Sequence, residues 1–477
     1  MAQPPRQLPS EVWNHVFGYL SAADKFRVRA CCKYFRKLVD HGSLWRHWAV
    51  VLAFHGGSYN GPFWTSLRRR RVTGAVVRST RVKDWRQLAQ SLPALTTLVM
   101  DQSSQKSLAC LRDFRHLTRL AVRSSCSSLL LDASTVSEPG RLTHLSMCDV
   151  TFPTAALGSV VSAVSRFSNL TSLVCHHMGV FEETILMVHS ILGCLPKLKH
   201  LSLSVVHKLC TFHNVPGPDP AGGAQGPVEA PALSSLELID CMDHSLPEDA
   251  MKLMPGLKSL AVFYRHSHQE LPDRRPSPVC HLRTWLSDLP QLSTLAIVKG
   301  PPVNKYVASI PPTVTSLTLC VSGLSSKDMT AMAARVPDLL HLHVDPWPSR
   351  LGAHTARIPL LFPKLRRLKL RHERVPENKF LALHLLRDLR YLEILDSRPH
   401  LPELAGKLQA LTNYRLEVKT SPCPRDVLSC SCVCQVLPRA LVLCFPDGRH
   451  SGAPAAPPRL CPQDWLPGSG RLDYVLL

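Results

Sequence analysis

The chain is short of acid and lacks any long apolar run. Asp and Glu number 35 against 56 Lys and Arg, so its 477 residues carry a formal net charge of +21. That surplus favours anionic partners: acidic or phosphorylated peptides, nucleic acid or anionic lipid. No stretch approaches the roughly 18 consecutive apolar residues of a membrane span. Met1–Ser10 is Pro-rich and has no apolar core, which predicts no secretory signal. The 17 cysteines are then expected to be reduced thiols of the cytoplasm or nucleus. Phosphate-cradling G-x-x-x-x-G-K-[ST] and G-x-G-x-x-G runs are missing, as are H-E-x-x-H, G-x-S-x-G and C-x-x-C. The tightest thiol group, Cys423, Cys430, Cys432 and Cys434, does not have zinc spacing and reads as thiols on one face of a strand. Neither cofactor, metal nor catalytic residue is expected, and the chain reads as non-catalytic.

What is abundant is one phrase. An apolar residue is followed three positions later by Leu and two positions after that by another apolar residue. It begins at positions 95, 117, 142, 170, 198, 233, 257, 292, 314, 339, 365 and 389, for example Leu-Thr-Thr-Leu-Val-Met from Leu95 and Leu-Arg-Arg-Leu-Lys-Leu from Leu365. Positions 4 and 6 lie two apart and share one face of an extended strand. One such strand cannot bury its apolar side alone, whereas a parallel stack can. The step is mostly 22 to 28 residues, which leaves room for a return helix such as Glu182–Leu192 or Ser326–Val336. A Pro two residues before many of the phrases (Pro93, Pro196, Pro337 and Pro363 among them) ends that helix. Two steps stretch to 35 residues and carry loop material, Thr211–Ala232 and Arg265–Cys280. The pattern resembles the helix-bearing leucine-rich repeats, with one departure. The Asn or Cys that usually ties such a backbone ladder, three positions after the third apolar residue, is matched only by Cys241.

The first fifty residues read differently. Ser10 is placed to cap a helix with apolar Val12, Trp13, Val16, Phe17 and Leu20. Ser21–Asp24 reads as a second helix start, and Val28, Cys32, Phe35 and Val39 step by 4, 3 and 4 along one helical face. Ser43-Leu44-Trp45-Arg46 opens a third element. The order L-P-x-E-V-x-x-x-V-F-x-Y-L-S-x-x-D, then R-x-C-C-K-x-F, then L-W-R, from Leu8 to about Trp48, resembles an F-box. Phe35 stands where that family often has Trp, and Trp13 where it has an aliphatic residue. The resemblance implies docking to the Skp adaptor of cullin–RING ubiquitin ligases, with Leu8, Pro9, Val12, Val16, Phe17, Leu20, Cys32 and Leu44 as docking or core residues. Sequence does not separate the two roles.

The fold class expected is therefore α/β: a three-helix F-box (1–50), a basic junction and cap (51–90), about twelve leucine-rich repeats with a curved parallel sheet inside and helices outside (91–400), and a C-terminal cap with a Pro/Gly-rich tail (401–477). The tail contributes two further strand candidates, Tyr414–Val418 and Arg439–Phe445. The junction holds eight basic residues from Arg68 to Arg86, open to three readings: a solvated connector, a nuclear import signal or an RNA stripe.

Positions 3, 5 and 7 of each phrase face away from the core and line the concave sheet. The middle repeats put small neutral residues there, such as Ser259, Ala261, Thr294 and Ala296. The late repeats put His341 and His343, then Arg367, Lys369 and Arg371, then Tyr391 and Glu393. The cations form either a grip for an acidic or phosphorylated peptide or a solvated basic face. Early repeats scatter Arg119, Arg123, His144, His176 and His200. An F-box followed by such repeats is the architecture of substrate receptors in SCF-type ubiquitin ligases, and that is the function the resemblance implies, with an unknown protein substrate. The other readings are a basic nuclear RNA- or chromatin-binding scaffold and an F-box adaptor outside ubiquitin ligation.

Overall fold

In a computed structural model, the described residues are 8–20, 22–45, 49–54, 59–78, 82–101, 109–125, 136–150, 159–177, 184–205, 233–242, 246–265, 280–346, 351–372, 375–396, 401–421 and 440–441. The long insertions, the Cys423–Cys434 thiols and the Pro/Gly-rich tail lie outside them. The chain divides into two compact units, Met1–Val180 with Ser429–Leu477, and Phe181–Leu428. Among the described residues no helix is long and apolar enough to cross a membrane.

The first unit opens with three helices, α1 (Ser10–Gly18), α2 (Ala22–Cys31) and α3 (Lys33–Val39), closed by a 3-10 turn at Gly42–Leu44. Two local expectations fail here. Pro9, not Ser10, occupies the N-cap, and no side chain caps the helix; the Ser10 hydroxyl donates to the Glu11 carboxylate instead. The Val28–Val39 stripe is not one helix either. Cys32 takes an extended backbone (φ −157°) and its sulfur accepts the Phe35 N–H, starting a new helix. The 4-3-4 spacing survives a break because the cap restarts the helix after a single residue.

The rest of this unit is a parallel sheet of β1 (Ala49–Ala53), β2 (Gly74–Arg78), β3 (Thr97–Asp101), β4 (Arg119–Ser125), β5 (His144–Val150) and β6 (Ser172–His176), paired in sequence order. Helices α4 (Gly61–Arg69), α5 (Val82–Ser91) and α6 (Ser159–Ser165) are among the connections. β1 and β2 fall in the stretch read as junction and cap, so that stretch itself supplies two strands. A two-residue strand, Ala440–Leu441 in the Arg439–Phe445 candidate, runs parallel to β1.

The second unit holds nine parallel strands in sequence order: β7 (His200–Ser204), β8 (Ser235–Cys241), β9 (Ser259–Tyr264), β10 (Thr294–Val298), β11 (Ser316–Cys320), β12 (His341–Val344), β13 (Arg367–Arg371), β14 (Tyr391–Leu395) and β15 (Glu417–Ser421). α7 (Thr184–Cys194) precedes β7, and between the strands run α8 (Leu282–Ser287), α9 (Ser326–Arg335), α10 (Ile358–Leu361), α11 (Glu377–Leu381), α12 (Leu401–Leu411) and several 3-10 turns. α9 carries a capping box in which the Ser325 hydroxyl accepts the Asp328 N–H and the Asp328 carboxylate accepts the Ser325 N–H.

Every one of the twelve phrases is a strand, and each strand begins at the third position of its phrase. The leucines at position 4 are 0–2 % exposed from Leu98 to Leu392, so each contributes about 1.5–3 kcal/mol of burial. Position 6 is buried alongside them.

Position 2 replaces the missing Asn/Cys ladder. The Thr96 carbonyl accepts the N–H groups of Thr118 and Arg119 at 2.9 and 3.0 Å, and the Thr118 hydroxyl donates to the same oxygen at 3.2 Å. The Thr118 carbonyl takes Thr143 in the same way, and the Thr143 carbonyl takes Thr171. In the second unit Ser234 bonds Lys199, Ser293 bonds Lys258 and Thr315 bonds Ser293. A short hydroxyl side chain at the strand entrance thus satisfies carbonyl lone pairs from coil to coil.

Candidate functional site

Two surfaces carry the sequence candidates. On the N-terminal helices, the structure separates the docking and core roles that sequence left together. Phe17 is 2 % exposed and Leu44 7 %, both core, and Leu20 is half-buried. Leu8, Pro9, Val12, Val16 and Cys32 are exposed, Val12 and Val16 at 42 % each. Tyr19 and Tyr34 add exposed aromatic surface beside them. Beneath this face Trp13 stacks on Phe17 with ring centroids 5.5 Å apart and meets Phe35 edge-on at 4.9 Å. The two residues that depart from the F-box pattern therefore touch.

The helices are fastened to the C-terminal end of α4 by a buried ion cluster. The Asp40 carboxylate, 5 % exposed, accepts Arg29 at 2.9 and 3.2 Å and Arg70 at 2.9 and 3.2 Å, with Arg69 at 3.8 Å. The Arg70 guanidinium lies 5.3 Å from the Phe26 ring and 5.2 Å from that of Trp45. Trp45 is fully buried and its indole N–H donates to the Val39 carbonyl at 2.6 Å. Burial pushes the Asp40 carboxyl up, but the hydrogen bonds and charges of Arg29 and Arg70 outweigh it and hold the group below the usual carboxylate range. Arg70, part of the basic junction, is therefore an internal counter-ion; Arg68, Arg69, Lys83 and Arg86 remain exposed. Asp40 and Arg70 pair across 30 residues of sequence, which no local pattern announces.

On the sheet face opposite the helices, the six late candidates do not form an open cluster of cations. Lys369 meets Glu393 at 3.3 Å, with Lys419 on the same carboxylate at 4.0 Å. Arg371 donates two parallel hydrogen bonds to Asp345, at 2.7 and 2.9 Å. His343 is 7 % exposed, with the Cys320 sulfur 3.9 Å from its ring. Its pKa lies well below the ordinary histidine value, first because burial removes water and then because Lys369 and Arg371 repel a further charge. Lys369 and Arg371 are thus each answered by a carboxylate within the sheet, which is neither of the two arrangements the sequence left open, a grip awaiting an acidic peptide or a solvated basic face. His341 and Tyr391 are half-buried and Arg367 is exposed.

The partners were legible in the repeats themselves. Asp345 and Arg371 both stand at position 7 of their phrases, Lys369 and Glu393 at position 5, and His372 and Asp396, 3.3 Å apart, at position 8. Parallel strands in register bring equal positions side by side, so reading each position along successive phrases finds the pairs. The earlier repeats show a milder version: Ser202 donates to Glu237 at 2.6 Å, and His200 and Ser235 approach to 3.0 Å. Burial pushes the His200 pKa down to about 4. His176 is fully buried, and Arg119, Arg123 and His144 are half-buried.

Comparison with known proteins bears on the N-terminal helices. Residues 6–49 match the F-box-like family. No curated protein matches the chain. Among solved structures, an internalin from Listeria monocytogenes is similar at 12 % identity, covering 86 % of this chain and 93 % of its own, with a TM-score of 0.28.

Proposed function

We propose that this chain is the substrate-recognition subunit of an SCF-type ubiquitin ligase. In this reading the N-terminal helices hold the Skp adaptor and the repeats hold a protein substrate. The observation that carries it is the exposed apolar surface of Val12 and Val16 on α1 and of Leu8 and Pro9 just before it, in a segment that is F-box-like. A three-helix unit that needed these side chains for its own stability would turn them inward, as it does Phe17. The chain performs no bond chemistry of its own in this scheme. Its contribution is proximity: a substrate lysine is kept near a ubiquitin thioester carried by other subunits, at high effective concentration.

The test uses Val12→Asp with Val16→Asp in the full chain, because a Phe17 substitution would confound docking with folding. Recovery of adaptor and cullin by the wild type, lost in the double variant at unchanged thermal stability, supports the reading. Equal recovery by both proteins, or by neither, removes it. Retention of nucleic acid by the double variant, falling steeply with salt, would then favour the basic-scaffold alternative.

A further inference from the structure

Arginines that remain unanswered lie at the strand entrances of the last repeats rather than on the sheet face. Arg366 and Arg390 occupy position 2 of adjacent phrases, and Arg390 N–H donates to the Arg366 carbonyl at 2.8 Å, so the two backbones lie side by side. Arg367 follows on β13 and Arg387 precedes Arg390 in the turn; all four side chains are exposed. Among the described residues none of them makes an ion pair, although Asp388 and Glu417 are exposed close by in sequence. Lys364 differs, being paired with Asp338, and Arg415 donates to the Leu386 carbonyl. The local potential is positive enough to register on His341, whose pKa is lowered first by burial and then by Arg367 and Arg366.

A second feature lies shortly before these charges in the chain. Leu360, Leu385 and Leu411 are 79 %, 60 % and 51 % exposed, and each precedes a successive strand, β13, β14 and β15. The three segments that carry them, α10, the 3-10 turn Ala382–Leu385 and α12, pack side by side. Tyr414, 77 % exposed, stands beyond Leu411. Among the helical residues whose exposure is described, no other repeat exposes a comparable leucine. Chain direction leads from Leu360 through one turn to Arg366 and Arg367, and from Leu385 through one turn to Arg387 and Arg390. Each of these two repeats therefore presents an exposed leucine followed by exposed arginines.

We propose that this strip, Leu360, Leu385 and Leu411 bordered by Arg366, Arg387 and Arg390, docks an acidic, leucine-bearing protein segment. It rests on the reading of the repeats as the partner-binding part of the chain, and names the chemistry of what they bind. Guanidinium groups give carboxylates paired donors, and the leucine row takes the apolar side of the same segment. A nucleic-acid backbone would use the arginines and leave the leucines idle.

The experiment measures fluorescence anisotropy of the full chain with a short labelled Glu/Leu peptide whose leucines fall at i and i+4. Its companions are the same peptide with Ser for Leu, and an oligouridine. Arg366→Gln with Arg390→Gln, and separately Leu360→Ser with Leu385→Ser, are each expected to weaken Glu/Leu peptide binding by roughly tenfold. All four residues are exposed, and thermal melting checks that the variants fold. Peptide binding unchanged by both pairs overturns the proposal. So does preferential binding of oligouridine that depends on the arginines and ignores the leucines. Adaptor capture is read on the same variants and stays at the wild-type level. Failure of the wild type to capture adaptor, with peptide binding intact and sensitive to both pairs, would sink the ligase reading and leave the strip standing.

Discussion

The N-terminal helices and the repeat strands use apolar residues in opposite ways. On the strands every leucine at position 4 is buried to within 2 %. On α1, Val12 and Val16 keep 42 % of their surface exposed. The strands fold by hiding their phrase from water. The helices leave part of theirs outside and recover rigidity from elsewhere: the Trp13–Phe17–Phe35 aromatic group and the Asp40–Arg29–Arg70 ion cluster. A segment that holds apolar surface outward for a partner has less with which to stabilise itself.

The sharpest way to break this comparison is Asp40→Ala. It strands Arg70, 7 % exposed on its side chain, without its counter-ion. The expected cost is about 3–5 kcal/mol in urea unfolding of the helical end. A much smaller loss would mean that the aromatic contacts suffice there. On the strand side, Leu260→Ala removes a fully buried side chain and is expected to cost about 2–5 kcal/mol. Val16→Ala, by contrast, is expected to stay within about 0.5 kcal/mol of wild type while weakening adaptor capture. If Val16→Ala destabilised as much as Leu260→Ala, the exposed face of α1 would be core in solution.

Histidines sharpen the contrast through pH. His343 and His200 have pKa values below the ordinary 6.5, the latter about 4. Between pH 6.5 and the folded-state values the unfolded chain binds protons that the folded chain refuses. Stability is therefore fully present above the unfolded pKa and falls as pH drops below it, by up to about 1.4 kcal/mol per pH unit for each group. Denaturation of the full chain at pH 7.5 and 5.5 reads this. A His343→Gln, His200→Gln variant is expected to flatten the dependence, and an unflattened profile would place the titration elsewhere. A modest effect is expected at the hydroxyl ladder. Thr118→Val keeps the shape and removes one donor to the Thr96 carbonyl, costing about 1 kcal/mol in the same assay.

Much of the fold was legible because its period is local. Leu95, Leu98 and Met100 mark β3 by themselves, and the same rule found the next eleven strands. β1 and β2 escaped because Ala49–Ala53 and Gly74–Arg78 lack the leading Leu-x-x-Leu spacing, although they bury the same faces. The binding surfaces were less legible. Lys369 and Arg371 were countable as charges, but their neutralisation depended on Glu393 and Asp345 in neighbouring coils. The strip at Leu360, Leu385 and Leu411 has no motif at all; it exists because three short segments happen to leave one leucine each outside.

Sequence by itself determined the positions of the twelve phrase strands, their parallel register and the start of the helical end, because each follows from which residues share a face over a few positions. Tertiary structure alone decided which apolar residues of α1 look outward and that Arg70 closes on Asp40. Those outcomes depend on groups 24 to 30 residues apart meeting across coils, and electrostatic pairing and exposure are set by that meeting rather than by the local chain.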